Sequence, residues 1–286
     1  MSSTRRLLVT DLDNTLWDWF GAWHASFSAL LDQLTSDTGL PQELLEQEIR
    51  LVHQRHGTSE YSLLLDELPS LIKLSVDESP RQVFDKALHA QNSARLKHTT
   101  LYPGVRETLV ELRERGVTIV AYTESIAYWT GWRIKHTELD GVIDILYSAP
   151  DHDFPDGVAP SDIRFHADEE YGLKVTDHRH VARGAVKPNA DILRSILSAV
   201  GVSPSETVYV GDSMMKDVAM AQAAGVLDAH AKYGEAQHLS DYALLQRVSH
   251  WPDAAVTKEQ QLRTSMEVVP TVSLDEGFFQ VSELLA

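Results

Sequence analysis

The sequence predicts an α/β protein: a parallel sheet with helices on both faces, carrying an all-helical insertion. Three observations carry that expectation. Apolar, β-rich runs at 7–10 (LLVT), 117–122 (VTIVAY) and 207–210 (TVYV) each stop abruptly in polar residues. From about residue 103 such runs alternate with helical stretches, the pattern of a parallel sheet. Residues 17–98, just after the first run, show helical periodicity and little strand signal.

Taken in order, LLVT reads as the first strand. Helical pattern follows from Leu16 to about Leu34. A second helix starts after GLPQE, with Pro41 suited to a first-turn position, and runs to about Arg55. Shorter helical stretches lie near 60–74 and 80–96. Helix 103–115 closes at Gly116, a C-cap signal. VTIVAY is a strand that stops at Thr123, Glu124 and Ser125, and helix 126–138 follows. GVIDILYSA is a weaker strand. A polar, histidine-rich stretch extends to about 183, then KPNADILRSILSAVG forms a helix and TVYVGD a strand. DVAMAQAAG is a helix closed by glycine. Beyond it, HLSDYALLQRVSHW reads as an amphipathic helix, and TSMEVVPTVSLDEGFFQVSELL as a late strand with a closing helix.

The domain reading is therefore a core of residues 1–16 plus 99–286, a helical insertion at 17–98, and a flap or loop insertion at 149–183. With 286 residues, 43% of them hydrophobic, the chain can bury a large core. A net charge of −17 repels phosphate backbones and anionic lipid heads, so nucleic acid and membranes are expected not to be partners. A small phosphorylated substrate remains compatible, because one lysine and one bound cation reverse the field locally. With no cysteine, disulfides, thiolate nucleophiles and cysteine-ligated zinc are excluded. The apolar run after Arg5 and Arg6 breaks at Asp11, too short for a secretion signal, so a cytoplasmic location is expected. Composition carries no signal for oligomeric state.

The first strand ends in Asp11 and Asp13. Residues i and i+2 of a strand face the same side, so both carboxylates can look toward one point. So close a pair raises its own proton affinity unless a cation intervenes. One division of labour suits it: the first acid stays ionised, holds a metal and attacks, while the second carries a proton to a leaving group and then takes one from water. Alone, Asp-x-Asp reads better as an Asx-turn or helix cap. It is not alone. Thr123 ends a second strand, Lys187 opens a helix, and Asp212 and Asp217 follow a third strand.

With these residues in this order, the chain resembles the haloacid dehalogenase-like hydrolase superfamily. Asp11, Asp13 and Thr15 match its first motif, Asp-x-Asp-x-Thr; Thr123 its second; Lys187, followed by Pro188, its third; Gly211, Asp212 and Asp217 its fourth. The match spans residues 7 to about 226. The resemblance implies a Rossmann-like core with an inserted helical cap that closes over the site. It implies a Mg2+-dependent phosphomonoester hydrolase acting on a small phosphorylated metabolite through an aspartyl-phosphate. Asp11 would attack phosphorus and Asp13 would serve as acid and then base. Thr123, the adjoining Glu124 and Lys187 would bind the phosphoryl group. Asp11, Asp212 and the backbone carbonyl of Asp13 would ligate Mg2+, with Asp217 behind them orienting a metal water or Lys187. Thr15 would shape the loop.

Within that family the acid at position 13 favours phosphatases over dehalogenases, whose halide leaving group needs no proton. Phosphonatases recruit a lysine from the cap; Lys73 and Lys86 read as solvated instead. The alternatives are a phosphomutase or phosphotransferase of the same fold, and a silent binding or regulatory protein.

Two further features stay open in the sequence. Trp17, Trp19 and Trp23 follow the first motif, and Trp129 and Trp132 the second. They read as hinge and core packing, or as a stacking wall for a flat leaving group. His152, His166, His178 and His180 fall in the 149–183 stretch. His178 and His180 could share a strand face as a zinc pair, but a β-flap or mobile loop near the site mouth is the plainer expectation, with Pro155, Gly157 and Pro160 arguing against regular structure at its start.

Overall fold

In the computed structural model of the chain, residues 5–151, 158, 168–252 and 268–285 are described. Their strands form one seven-stranded, all-parallel sheet. They are β1 (Leu7–Thr10), β2 (Thr118–Ile126), β3 (Ile145–Ala149), β4 (Asp177–His180), β5 (Thr207–Gly211), β6 (Leu227–His230) and β7 (Val272–Ser273). The spatial order is β4-β3-β2-β1-β5-β6-β7, so the first strand lies at the centre.

All four residues of β1 are buried. A strand covered on both faces has no polar alternation to show, which is why LLVT is uniformly apolar until its last residue. On one face Leu7, Val9, Val120, Tyr122 and Tyr209 pack with Leu193, Ile196 and Leu197 and with Met220 and Ala221. Those partners come from α9 (Ala190–Val200) and α10 (Ala219–Ala224). Full burial of each such aliphatic is worth roughly 1.5–3 kcal/mol.

Register decides where the chemistry emerges. Thr10 pairs with Ala121 on one side and Val210 on the other, and the Asp11 N–H donates to the Val210 carbonyl at 2.8 Å. Thr10, Ala121 and Val210 are therefore level across the three central strands. The polar residues that follow them share one edge of the sheet, the position where parallel α/β sheets bind ligands.

Several elements differ from the sequence expectation. β2 does not stop at Tyr122 but runs to Ile126, with a register irregularity between those residues against β3. Part of the supposed flap at 149–183 is β4, the edge strand, preceded by a short turn of helix, α8 (Asp168–Tyr171). His152, His166, Pro155, Gly157 and Pro160 lie outside the described residues. The expected closing helix is a 3-10 helix over Phe278–Leu284. Gly225 caps α10 as expected, whereas α6 (Val105–Glu114) is capped by Arg115 with Gly116 one residue beyond; both glycines have positive φ. The remaining core helix, α7, spans Ala127–His136.

The chain divides into two compact units, and among the described residues the second comprises 19–98 and 236–252. It holds α1 (Trp19–Thr38), α2 (Gln42–His56), α3 (Pro69–Leu74), α4 (Pro80–Val83), α5 (Asp85–His98) and α11 (Tyr242–Val248). Helix α11, read from sequence as part of the core, is instead built into this unit. Arg247 pairs with Glu46 at 2.7 Å, and buried His53 donates from Nδ1 to the Val248 carbonyl at 2.7 Å. Burial pushes His53 down to about 4, so its ring is neutral there. Pro41 stands at the N-cap of α2 rather than in its first turn. Trp19, Trp23 and Phe27 form a stacked ladder along α1 with centroid spacings of 6.1 and 4.9 Å.

Candidate active site

Four segments deliver side chains to that edge of the sheet. The first is the turn after β1. Asn14 adopts a left-handed φ of 59°, and its N–H is satisfied by the Trp17 carbonyl at 2.9 Å. Tyr233 donates its hydroxyl to the Thr15 carbonyl at 2.6 Å, fixing the same turn. Gly234 has to be glycine because a Cβ there would overlap the Asn14 carbonyl.

Asp11 and Asp13 leave this segment toward different donors. Asp11 Oδ1 accepts from Lys187 Nζ at 2.6 Å. The same ammonium donates to Asp217 Oδ1 at 2.8 Å and lies 5.0 Å from the centre of the Tyr122 ring. Asp217 is further held by the Tyr209 hydroxyl at 2.8 Å and the Ser213 N–H at 3.1 Å. A Cβ at Gly211 would overlap the Asp217 side chain, so glycine in Gly-Asp-x-x-x-x-Asp is what lets this acid reach in. A π-helical turn over Met214–Val218 carries it there.

Asp11, Asp212 and Asp217 are all buried, and one carboxylate oxygen from each lies within 4.8 Å of the others. Burial, with Asp11 and Asp217 adding their charge, drives Asp212 well above the usual carboxylate range. Burial pushes Asp11 up to about 7, with Lys187 pulling it down and Asp217 pushing it up. Burial alone would lower Lys187; Asp11 and Asp217 hold it well above its ordinary value. Three carboxylates around one ammonium leave two negative charges uncompensated when all are ionised. A hard dication bound by oxygen is the group that such a set fits. The side chain of Asp13 is not part of this cluster.

Asp13 instead accepts from the Trp17 indole Nε1 at 2.7 Å on Oδ1 and from the Ser125 hydroxyl at 2.5 Å on Oδ2. Buried Arg133 stands 4.0 Å from Oδ1. Thr123 is buried beside these groups in sequence, and its hydroxyl accepts the Ser125 N–H at 3.1 Å. The carboxylate of Glu124 takes the Lys187 backbone N–H at 2.8 Å on one oxygen and Lys216 Nζ at 2.6 Å on the other. Its side chain is thus engaged with two lysines, which leaves its backbone for the expected contact with phosphate. A carboxylate repels a phosphoryl group, and this one is occupied in fixing Lys187 from behind. His230, on β6, donates from Nε2 to the Asp212 carbonyl at 2.9 Å and steadies that backbone.

Sequence reading singled out Asp11, Asp13, Thr123, Glu124, Lys187, Asp212 and Asp217, and these lie at this edge of the sheet and in its flanking turns. It missed Tyr209, Ser213, Ser125 and His230, and it weighed Trp17 only as packing or stacking. One signal was available for Trp17 and Ser125: both are donors within a few residues of motif positions. For His230 none was, because its segment carries no motif. Trp129 and Trp132 are half-buried on α7 and meet edge-on at 6.1 Å. His178 is engaged with the Ser148 hydroxyl at 2.8 Å, and burial pushes it down to about 4. Its ring is 4.8 Å from that of His180, but among the described residues no further ligand completes a zinc site there.

Comparisons agree with this geometry. Residues 6–225 match the model of a haloacid dehalogenase-like hydrolase. The chain is 26% identical over 206 residues to a glyceraldehyde 3-phosphate phosphatase of Methanopyrus kandleri, covering 71% of this chain and 72% of that protein. Its fold is similar to that of the HAD-hydrolase YfnB from Bacillus subtilis, a structure bound to magnesium, at a TM-score of 0.52 with 12% identity and 99% of both chains covered. It is similar also to a 2-haloacid dehalogenase from Pseudomonas syringae pv. Tomato, at a TM-score of 0.52 with 19% identity over 98% of this chain and 97% of that one. No helix among the described residues is long and apolar enough to cross a membrane. By its matched sequence model and its sheet, the chain belongs to the haloacid dehalogenase-like hydrolase family.

Proposed function

We propose that the protein is a Mg2+-dependent phosphatase of small phosphorylated metabolites, working through phosphorylated Asp11, with the helical unit as its specificity cap. The observation that carries this reading is the separation of the two acids. Asp11 is tied to the lysine and carboxylate cluster, whereas Asp13 lies outside it, held by the Trp17 indole and the Ser125 hydroxyl with Arg133 4.0 Å away. A nucleophile and a proton carrier need that difference of surroundings.

Asp11 attacks phosphorus as the bond from phosphorus to the leaving oxygen breaks. Asp13 gives that oxygen its proton. Asp13 then takes a proton from water as the water oxygen attacks phosphorus, and Asp11 and inorganic phosphate are released. Lys187 and Thr123 hold the phosphoryl oxygens, the lysine as a point charge fixed by two carboxylates. Any contact from Glu124 to phosphate comes from its backbone. Asp11 and Asp212, with the backbone carbonyl of Asp13, are the residues to hold Mg2+, and Asp217 orients Lys187. When bound, Mg2+ neutralises charge on the phosphoryl oxygens and on the buried carboxylates.

The acid at position 13 separates this reading from dehalogenation, and the Methanopyrus relative supports a small phosphate ester as substrate. The test is a panel of phosphorylated metabolites and aryl phosphates, assayed for phosphate release with Mg2+ and with EDTA. Release that EDTA abolishes and that Asp11→Asn lacks is expected. Failure of every substrate to release phosphate would favour a binding protein, and transfer of label between substrate positions a mutase.

A further inference from the structure

Resting on the phosphatase reading, we infer that Trp17 and Ser125 are positioning residues for proton transfer, together fixing which oxygen of Asp13 carries the proton. The turn that places Asp13 also closes on Trp17. The Trp17 carbonyl accepts the Asn14 N–H at 2.9 Å, and the Trp17 backbone bridges to Asp13 and to Leu101. Its side chain is 1% exposed, so the indole has one available position. Its Nε1–H meets Asp13 Oδ1 at 2.7 Å, and the Ser125 hydroxyl meets Oδ2 at 2.5 Å.

The two partners differ in what they can do. An indole N–H donates and never accepts. It favours Oδ1 as the carbonyl oxygen and leaves Oδ2 as the atom that takes up and gives away the proton. A hydroxyl both donates and accepts. Ser125 therefore donates to one lone pair of Oδ2 and leaves the other lone pair of that oxygen to exchange the proton with the leaving group and with water. The pair keeps the carboxyl in one rotamer, with Oδ2 as the oxygen that exchanges the proton, through both half-reactions. The tryptophan next to the first motif thus acts on the acid rather than on the substrate, and the serine two residues beyond Thr123 belongs to Asp13 rather than to phosphate.

The test uses the full-length protein and three substrates, 4-nitrophenyl, phenyl and an alkyl phosphate, whose leaving groups need protonation increasingly. The readout is kcat/KM, which reports the phosphorylation half-reaction alone. Trp17→Phe should cut kcat/KM for the alkyl ester by about 100-fold, while 4-nitrophenyl phosphate loses no more than about 5-fold, because an acid contributes 10²–10⁴-fold only where the leaving group requires one. Ser125→Ala should shift the ratio the same way by about 10-fold, and Ser125→Thr should restore it. An equal loss on all three substrates, or no loss, overturns the inference. If Trp17→Phe lacks the wild-type circular dichroism spectrum, the Ser125→Ala and Ser125→Thr pair decides alone. A wild-type protein that cleaves none of the three and none of the metabolite panel overturns the phosphatase reading and this inference with it; active wild type with uniform losses overturns only the inference.

Discussion

Binding of Mg2+ to the metal-free protein should release protons, and more at pH 6 than at pH 8. Asp11 is raised by burial to about 7, against 3.8 for an ordinary aspartate. About nine-tenths of it is then protonated at pH 6 and about one-tenth at pH 8. A carboxyl must ionise to ligate a metal, so Asp11 alone makes the release differ by about 0.8 proton per ion between the two conditions. Asp212, raised in the same direction, adds to the total. The sign for stability follows. Because the folded-state value lies above the unfolded one, Asp11 favours folding below about pH 4, and this contribution is lost as pH rises through about 7. The ionised form carries a penalty of about 4 kcal/mol in the metal-free protein, which Mg2+ offsets. Titration calorimetry in two buffers of different ionisation enthalpy measures the release. Urea unfolding with and without Mg2+, from pH 5 to 8, measures the widening gap in stability. Equal release at both pH values, or an Asp11→Asn variant that keeps the wild-type difference, refutes the reasoning.

Lys187→Met leaves Asp11 and Asp217 without their shared cation. Metal-free protein should lose about 3–5 kcal/mol in urea unfolding, and phosphate release should fall at least about 100-fold. Gly211→Ala places a methyl on the Asp217 side chain and should displace it from Lys187, giving a folded protein by circular dichroism with activity down about 10-fold or more. Glu124→Gln keeps the shape but weakens the hold on the Lys187 backbone and on Lys216; it should raise KM for phosphate esters several-fold, read from initial rates. Asn189→Ala removes the side-chain cap on the Ile192 N–H at the start of α9 and should cost about 1 kcal/mol in urea unfolding, without changing the leaving-group dependence.

The strands that carry the chemistry were legible because they are buried on both faces, which makes their apolar runs continuous and their polar ends conspicuous. β6 was not legible for the opposite reason. Its sequence, Leu227–His230, places Asp228 and His230 inside the sheet layer. Both are buried and paired, Asp228 with the Thr271 N–H and hydroxyl, His230 with the Asp212 carbonyl. Those pairings are long-range, so nothing local marks the run as a strand. β4 reads as a polar loop because an edge strand of Asp, His, Arg and His lacks an apolar face. In the site, the motif residues could be named from their order alone. The side chains that orient them could not, since Tyr209 and Trp17 look like core aromatics until the distance from their polar atom to a carboxylate is known. Glu124 shows the same limit from the other side: its place next to Thr123 suggested phosphate, and nothing local announced that its carboxylate reaches the Lys187 backbone and Lys216.

The central claim is that Asp11 itself receives the phosphoryl group. Enzyme mixed with a cleavable phosphate ester and Mg2+, quenched in acid within one turnover and reduced with borohydride, should yield a peptide carrying homoserine at position 11, with none from Asp11→Asn. Substrate turnover with position 11 unmodified, or reduction found at another carboxylate, would contradict the account.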